Sequence, residues 1–262
     1  MEPELIVFGT SSQVPTRHRN HNGYLVRWRD EGMLFDPGED TSGQMARMGV
    51  STCEVHRVFV THFHGDHCLG LAGLFHRMAR EGVSHTVHVH FPSYGRPFFE
   101  RALHACDYGD SADVSVEPHP FDAEEVIFDD ERFHVRTGRL SHSLETFGYR
   151  VEERASGIVL AFVMDTRSCR GALELAENAD LLICEATYLD REVREARDRG
   201  HMTATHAAEL ARSARAKELF LTHFSQRYPN TKLHKKEAAA VFEPVHTARD
   251  LRRYPLPRRR SP

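Results

Sequence analysis

The stretch Thr-His-Phe-His-Gly-Asp-His, residues 61–67, decides the fold of this chain. It lies between an apolar run that predicts a strand and a pattern that predicts a helix. His62 and His64 are two positions apart and can turn toward one metal ion. Asp66 and His67 follow a glycine that permits a bend, and they can face a second ion. Because zinc accepts neutral imidazole and carboxylate donors, the stretch predicts a two-metal centre.

Three later residues add to the donor set, each at the end of an apolar run. His142 and His223 follow predicted strands, and Asp165 ends the run Ile158–Met164. A carboxylate at the end of a buried strand is costly unless it meets a cation or hydrogen-bond donors. For Asp165 the alternative is an Asx-turn at the strand end. Since strand ends collect at a sheet edge, we expect these three side chains to converge.

The composition is that of an ordinary globular protein, with 262 residues of which 40% are hydrophobic and 27% charged. This length suits one large domain or two small ones. The net charge of −4 does not indicate a nucleic-acid or membrane surface. Five scattered cysteines without a CxxC pair favour reduced thiols in a cytoplasm. The N-terminus has no secretory-signal pattern and no run reaches about 18 apolar residues, so we expect a cytoplasmic protein outside the membrane.

The periodicity predicts a mixed α/β fold in which helices cover the outer faces of sheets. The predicted strands are Leu5–Phe8, Tyr24–Trp28, Met33–Phe35, Arg57–Val60, Val83–Phe91, Phe133–Leu140, Thr146–Val151, Ile158–Met164, Leu181–Cys184 and Leu219–Leu221. The predicted helices are Cys68–Glu81 and Thr205–Ala216. We place one domain in residues 1–250 and a basic, proline-containing tail in residues 251–262.

Other histidines among the 19 in the chain do not share the strand-end pattern. His88 and His90 alternate with apolar residues and predict the exposed face of a strand. His119 is predicted to lie in a loop. These residues therefore stay outside the predicted metal centre.

In their order, the seven donors resemble the ligand set of the metallo-β-lactamase superfamily, and the chain is more narrowly similar to the ribonuclease Z family. The segments that carry the narrower resemblance are Phe8–Arg17 with Arg19-Asn20, Glu185-Ala186-Thr187, His201-Met202-Thr203-Ala204 and Leu221–Tyr228. The resemblance implies a four-layer αββα sandwich with both metals at one sheet edge. It also implies a homodimer and an endonuclease that processes the 3′ ends of tRNA precursors.

The resemblance further implies how the donors are shared between two zinc ions. The first ion is bound by His62, His64 and His142, and the second by Asp66, His67 and His223. Asp165 bridges the two ions. Manganese and iron are alternatives, since sets of His and Asp accept them as well. Two adjacent cations lower the pKa of a shared water, supply hydroxide to attack a phosphodiester, and neutralise the developing charge.

The same resemblance implies catalytic roles for three residues. Asp66 accepts a proton from the attacking water or orients it, and His201 protonates the leaving ribose oxygen. Glu185 holds His201 in the productive tautomer and raises its pKa. The alternative for His201 is a loop residue before the second predicted helix. The expected substrate contacts are Thr10, Ser11, Arg19, Asn20 and Arg227.

One departure from the family concerns the arm that grips the tRNA elbow. In members that cleave tRNA, an arm with a Gly-Pro motif commonly lies between the ligands that match His142 and Asp165. Here 22 residues separate these positions, they predict a plain hairpin, and the chain contains no Gly-Pro dipeptide. Because distant phosphate contacts supply much of nucleic-acid affinity, we expect weaker tRNA binding. The arginine-rich tail either compensates in part or is a solvated basic tail.

Three functions are compatible with the sequence. The first is a dinuclear-zinc phosphodiesterase acting on RNA 3′ ends, which the Glu185–His201 pair and residues 225–228 favour. The second is a small-molecule hydrolase of the same fold that cleaves a phosphodiester, an ester or a lactone, which the short hairpin favours. The third is a non-catalytic metal-binding scaffold, which the complete donor set disfavours.

Overall fold

The computed structural model describes residues 2–107 and 114–257, and the chain forms two compact units. Unit 1 comprises Met1–Asp122 and Arg249–Pro255, and unit 2 comprises Ala123–Ala248 and Leu256–Pro262. Each unit contains a seven-stranded sheet and helices, so the predicted mixed α/β class is confirmed. Within the two described ranges, no helix combines the length and the apolar character needed to cross a membrane.

The sheet of unit 1 joins an antiparallel half to a parallel half. Its strands, in spatial order, are β16 (Arg252–Pro255), β1 (Glu4–Gly9), β3 (Gly23–Trp28), β4 (Glu31–Phe35), β5 (Arg57–Phe59), β6 (Val87–Pro92) and β7 (Val116–Phe121). The short strand β2 (Ser11–Ser12) follows β1. Pairing is antiparallel from β16 to β4 and parallel from β4 to β7. The carboxyl ends of β4 and β5 therefore lie side by side.

The helices of unit 1 pack on one face of this sheet. They are α1 (Thr41–Arg47), α2 (Gly65–Cys68), α3 (Leu71–Glu81) and α4 (Arg96–Leu103), with 3₁₀ turns at Thr52–Glu54 and Ser93–Gly95. As its periodicity predicts, α3 buries Leu71, Leu74, Phe75 and Met78, which join strand residues in one core. Burial of each such side chain contributes roughly 1.5–3 kcal/mol. The helix ends at Gly82, whose positive φ of 69° suits glycine.

The sheet of unit 2 has the same mixture of pairings. Its strands, in spatial order, are β15 (Val245–Thr247), β13 (Leu219–Thr222), β12 (Leu181–Glu185), β11 (Val159–Val163), β10 (Glu145–Glu153), β9 (Phe133–Ser141) and β8 (Val126–Asp129). The short strand β14 (Phe224–Ser225) follows β13. Pairing is parallel from β15 to β11 and antiparallel from β11 to β8. Strands β10 and β11 form the plain hairpin that the sequence predicts.

The helices of unit 2 are α5 (Arg170–Ala176), α6 (Val193–Arg199), α7 (Ala204–Ser213) and α8 (Lys232–Ala239), with a 3₁₀ turn at Asp190–Glu192. Helix α7 begins after Thr203, whose Oγ1 accepts from the His206 N–H at 3.3 Å. Helix α5 packs on Gly138 and Gly148, a cross-strand pair of β9 and β10. A Cβ at these positions would lie 2.8 and 2.6 Å from Leu175, so glycine permits the close approach.

The C-terminal segment differs from its sequence-based prediction. Arg252–Pro255 form β16 and pair with β1, with Tyr254 opposite Leu5, instead of belonging to a tail. The strand forms because the edge of β1 offers backbone partners and because Arg253 bonds Glu4 at 2.9 Å. The remaining tail arginines, residues 258–260, lie outside the described residues.

Two predictions about histidines are wrong. His90, predicted on an exposed face, is buried because β5 and β7 flank β6 and its ring stacks between Phe59 and His119. His119, predicted in a loop, lies in β7. The two prolines of β7 make its sequence resemble a loop. Proline is rare within strands, except in strands at the edge of a sheet.

Candidate metal centre

Five acidic or histidine side chains lie at or soon after the carboxyl ends of parallel strands, and three of them are predicted metal donors. In unit 1, Asp36 directly follows β4, and His62 comes soon after β5. In unit 2, Asp165 follows β11, Glu185 is the last residue of β12, and His223 directly follows β13. Binding sites in α/β sheets commonly lie beyond the carboxyl ends of the strands. Each unit therefore presents a group of donors at this end of its own sheet.

A buried carboxylate, Asp36, orients two histidines of unit 1. The His67 Nδ1–H donates to Asp36 Oδ2 at 2.8 Å, and the Thr61 hydroxyl donates to the same oxygen at 2.9 Å. Because that hydroxyl proton is already used, Thr61 Oγ1 accepts from His62 Nδ1 at 3.0 Å. Burial raises the pKa of Asp36, and the His67 and Thr61 contacts oppose this rise. With Nδ1 protonated, both rings present a lone pair at Nε2.

The structure brings together the predicted pairs of unit 1. His62 Nε2 lies 2.9 Å from His64 Nδ1, and His67 Nε2 lies 3.3 Å from Asp66 Oδ2. The backbone N–H of Gln13 donates to Asp66 Oδ2 at 2.8 Å. Asp66 is thus held by the loop that follows β2.

Gly65 has a role different from the predicted bend. It is the first residue of α2, with His64 as N-cap, and it does not adopt a positive φ. The Leu69 N–H bonds Gly65 O at 3.0 Å, and an added Cβ would lie 2.9 Å from Leu69 Cδ1. One helical turn, not a left-handed bend, therefore separates His64 from His67.

In unit 2, two histidines converge on the carboxylate of Asp165. His223 Nε2 lies 3.1 Å from Asp165 Oδ1, and His142 Nε2 lies 3.6 Å from Oδ2. The His142 Nδ1–H donates to Gly200 O at 2.9 Å, so its Nε2 carries the lone pair. Burial is the main cause that lowers the pKa of His142, which keeps the ring neutral. His201 joins this group, since Asp165, His201 and His223 offer ligand atoms within 4.8 Å of one another.

Glu185 orients two histidines of unit 2. The His201 Nδ1–H donates to Glu185 Oε1 at 3.0 Å, and the Thr187 hydroxyl donates to Oε2 at 2.7 Å. Thr187 Oγ1 in turn accepts from His223 Nδ1 at 2.8 Å. Burial would raise the pKa of Glu185, but the charge and hydrogen bond of His201 outweigh burial and lower it. Glu185 is therefore an ionised acceptor that fixes both rings.

Backbone strain accompanies these side chains. Asp36, Asp165 and His223 have φ values of 45°, 47° and 56°, in the left-handed region that non-glycine residues rarely adopt. Each such residue costs on the order of 1–3 kcal/mol, and strain of this kind clusters at functional sites.

Four of the predicted substrate contacts lie in the N-terminal loop, and two of them, Thr10 and Asn20, bond the carboxylate of Asp250. The Thr10 hydroxyl donates to Asp250 Oδ1 at 2.7 Å, and the Asn20 N–H donates to Oδ2 at 2.6 Å. The Ser11 hydroxyl is buried and donates to the carbonyl of Val14 at 2.7 Å. Burial lowers the pKa of Arg19, with Asp250 opposing that effect, and burial raises the pKa of Asp250 to about 6.

The fifth predicted substrate contact, Arg227, is exposed and ion-paired. Its two terminal nitrogens bond the carboxylate of Glu195 at 2.7 and 2.8 Å, and its guanidinium lies 5.0 Å from the ring centroid of Tyr188. A bidentate pair of this kind holds the fork of the arginine in one orientation. A phosphate would compete with Glu195 for the same donors.

Four buried or half-buried residues that hold other site residues in place are not predicted from the sequence: Asp36, Thr61, Thr187 and Asp250. Asp36 carries the same signal as Asp165, a carboxylate at the end of an apolar run, and could have been found by it. Thr61 and Thr187 lie within the quoted motifs. Asp250 gives no local signal, because its partner Thr10 is 240 positions away.

Comparison with known proteins identifies relatives along the whole chain. The sequence profile described as "Beta-lactamase superfamily domain" matches residues 32–224. Ribonuclease Z of Streptomyces avermitilis is 44% identical, with 98% of each chain covered. Ribonuclease Z of Chlamydia pneumoniae is 36% identical, with 97% of each chain covered. The first match runs over 298 aligned positions, more than the 262 residues here, so that relative contains segments absent from this chain.

The fold has counterparts among solved structures. Human tRNase Z, short form, superposes with a TM-score of 0.81 at 29% identity, covering 97% of this chain and 99% of that one. The metallo-beta-lactamase fold protein YhfI from Bacillus subtilis gives the same TM-score and coverage at 22% identity, a likeness that concerns the fold alone.

Proposed function

Because this chain belongs to the ribonuclease Z family of the beta-lactamase superfamily, we propose that it is a two-metal phosphodiesterase that cleaves RNA precursors at their 3′ ends. Family membership makes it a metal-dependent hydrolase. One observation supports the proposal most directly: two buried carboxylates, Asp36 and Glu185, each fix two histidines through Nδ1. Histidines held in this way are typical of metal centres, where an outer carboxylate sets the tautomer of each ligand.

The donor chemistry of unit 2 fits divalent metal. With Nδ1 of His142 and His223 protonated, the Nε2 lone pairs face the oxygens of Asp165. Two electron-rich atoms at such distances repel each other unless a proton or a cation lies between them. Zinc accepts both imidazole nitrogen and carboxylate oxygen, as do manganese and iron. The residues present therefore fit the metal that the family implies.

We propose the ligand set that the sequence predicts: His62, His64 and His142 for one zinc, Asp66, His67 and His223 for the other, and Asp165 for both. Bound there, two divalent cations would activate a water molecule and neutralise the charge of a phosphodiester.

The side chains of the protein handle the protons in this proposal. Asp66, oriented by the Gln13 N–H, accepts a proton from the attacking water. His201 protonates the leaving ribose oxygen. Because Nδ1 of His201 is bonded to Glu185 at 3.0 Å, the proton to be delivered is the one on Nε2. Glu185 is a positioning residue, since its carboxylate is fully buried and acts through His201.

RNA as the substrate class is supported by the relatives that carry the name Ribonuclease Z over their whole length. We propose that Arg19 and Arg227 contact phosphates and that Thr10, Ser11 and Asn20 shape the loop that meets the RNA. The pairing of Arg227 with Glu195 implies that RNA must displace a carboxylate to engage it. Affinity for RNA should therefore be modest and strongly dependent on salt.

A second candidate function is hydrolysis of a small phosphodiester, ester or lactone. The observation that favours it is the short connection between His142 and Asp165, where β10 and β11 form a hairpin without room for an arm. A chain without an arm retains the means for chemistry but has fewer distant phosphate contacts. This candidate keeps the same ligands and the same catalytic residues.

A side-by-side assay of the zinc-loaded protein distinguishes the two candidates. One reaction contains a tRNA precursor with a 3′ trailer, and the other contains bis(p-nitrophenyl) phosphate. We expect cleavage at the trailer junction at submicromolar enzyme. Hydrolysis of the small diester without precursor cleavage would replace the RNA proposal with the small-molecule one. Loss of both reactions would contradict the phosphodiesterase proposal and leave only an ester or a lactone as substrate for the second candidate.

We also propose a cytoplasmic homodimer. The dimer rests on the family resemblance, and the location on five cysteines that are all free thiols. Sedimentation of the protein at micromolar concentration tests the dimer, and fractionation of cells tests the location.

A further inference from the structure

A second cluster of metal-binding side chains lies in unit 1, on strands β6 and β7. His88, Glu117 and His119 each offer a ligand atom, and these atoms lie within 4.8 Å of one another. His88 Nδ1 is 2.9 Å from His119 Nε2, the same separation as between the ring nitrogens of His62 and His64. Glu117 places its oxygens 3.5 Å from His88 Nδ1 and 3.7 Å from His119 Nε2.

The register of the two strands creates this cluster. The parallel pair β6–β7 aligns His88 with Glu117 and His90 with His119. Side chains two positions apart on a strand share a face, so all four residues project from one side of the sheet. The cluster is therefore a consequence of backbone pairing and does not depend on flexible loops.

The buried ring of His90 packs against the ring of His119 in the cluster. It is 2% exposed, and its ring stacks on Phe59 at 4.9 Å and on His119 at 4.7 Å between centroids. The stack restricts the orientation of the His119 ring. A donor whose orientation is already fixed loses less entropy when it binds an ion.

The electrostatic surroundings tolerate a cation. The nearby fixed positive charge is Arg57, whose Nε is ion-paired with Glu31 at 3.0 Å. The side chain of Glu117, 56% exposed, supplies the negative charge.

We propose that His88, Glu117 and His119 bind a divalent transition metal ion, with zinc as the ion that best suits two imidazoles and one carboxylate. The ion would link β6 to β7, the edge strand of the sheet. Pro118 and Pro120 lie within β7 and cannot donate backbone hydrogen bonds. A side-chain bridge would hold this edge strand to its neighbour, which makes the site structural and independent of catalysis.

The test compares metal content and phosphodiester hydrolysis in three proteins. These are the wild type, the His88→Ala/His119→Ala double variant, and His134→Ala, a matched control in which a half-buried strand histidine beside Asp129 is removed. After zinc loading and gel filtration, we expect the double variant to hold one metal equivalent fewer per chain than the wild type and the control. Hydrolysis of bis(p-nitrophenyl) phosphate should be equal in all three. Equal metal content in all three would overturn the proposal.

A second measurement avoids any folding defect of the double variant. Diethyl pyrocarbonate modifies accessible histidines of the wild-type protein, and peptide mass spectrometry reports each site. We expect zinc to protect His88 and His119 several-fold while His134 reacts equally with and without zinc. Unchanged reactivity of His88 and His119 across zinc concentrations would refute the site, whatever the activity of the enzyme.

Discussion

Asp36 accepts a hydrogen bond from His67 Nδ1 at 2.8 Å inside unit 1, and Glu185 accepts one from His201 Nδ1 at 3.0 Å inside unit 2. Each carboxylate also holds a second histidine through a threonine hydroxyl, Thr61 or Thr187. The two units thus use one arrangement: a buried carboxylate at or just past the end of a parallel strand that sets two imidazole tautomers. A carboxylate of this kind sets which ring nitrogen of each histidine carries the lone pair.

Replacing Asp36 by Asn tests this control in unit 1. The amide keeps the size of the side chain but removes the charge that favours Nδ1–H on His67, and it weakens the Thr61 link to His62. We expect the affinity for metal to fall roughly 10- to 100-fold. Competition with a zinc-binding dye measures it. The matched control is Asp40→Asn, an exposed residue with positive φ of 59° that Asn tolerates. Wild-type affinity in the Asp36 variant would contradict the proposed orienting role.

Replacing Glu185 by Gln tests the arrangement in unit 2. His201 loses the neighbouring negative charge that stabilises its protonated form, so the upper limb of the pH–rate profile should move to lower pH. We expect kcat to fall roughly 10- to 100-fold with little change in KM. The exposed Glu177→Gln variant is the control. A lower kcat with an unmoved profile would show that Glu185 supports only the fold.

Replacing Asp66 by Ala tests the proposed proton acceptor. Its carboxylate lies beside His67 and is held by the Gln13 N–H, so alanine removes an oriented proton acceptor from the site. We expect turnover to fall by roughly 10²- to 10⁴-fold while the circular dichroism spectrum is unchanged. Asp198→Ala, an exposed residue on α6, should turn over normally. Near-normal turnover in the Asp66 variant would end the two-metal mechanism proposed above.

The strands and the donors could be predicted from the sequence because their signals are local. The run Leu181–Cys184 is apolar throughout and Tyr24–Trp28 is apolar except for Arg27, and His62 to His67 lie within a single short motif. Each predicted strand has a counterpart in β1, β3 to β6 or β9 to β13. The sequence predicts Thr203 or Thr205 as the N-cap of the second helix, and the structure has Thr203 in that position.

The elements that were missed depend on contacts distant in sequence. Helix α5 is short, and what fixes it is the space that Gly138 and Gly148 leave for Leu175. Strand β16 exists because β1 offers an unpaired edge some 250 positions earlier. Asp250 is likewise defined by Thr10 and Asn20, which no window of the sequence places beside it. Periodicity reports the face that a segment buries, and it carries no information about which segment covers that face.

Removing the metal should lower thermal stability. Without cations the lone pairs of His142 and His223 face the carboxylate of Asp165 at 3.6 and 3.1 Å. The folded state then loses the stabilising free energy of metal binding. We expect a chelator to lower Tm by on the order of 5–10 °C, and zinc to restore it. Differential scanning fluorimetry measures the shift, with the chelator pre-saturated by zinc as the control. An unchanged melting curve in excess chelator would argue against coupling between metal and fold.

The carboxylate of Asp250 accepts hydrogen bonds from the Thr10 hydroxyl and the Asn20 N–H. Burial raises its pKa to about 6 in the folded protein, whereas an unfolded chain has an aspartate pKa of about 3.9. Between these values the folded state binds more protons, so the free energy of unfolding falls as pH rises through this window. This contribution is on the order of 1–3 kcal/mol.

Asp250→Asn removes this titration, and Asp198→Asn, an exposed residue, does not. We expect the Tm of the wild type, measured relative to Asp250→Asn, to decrease as pH increases from about 4 to about 6. The difference between the wild type and Asp198→Asn should stay constant. If the first difference also stays constant, Asp250 titrates at its ordinary pKa, and the loop of Thr10 and Asn20 is held by hydrogen bonds that burial of the carboxylate does not weaken.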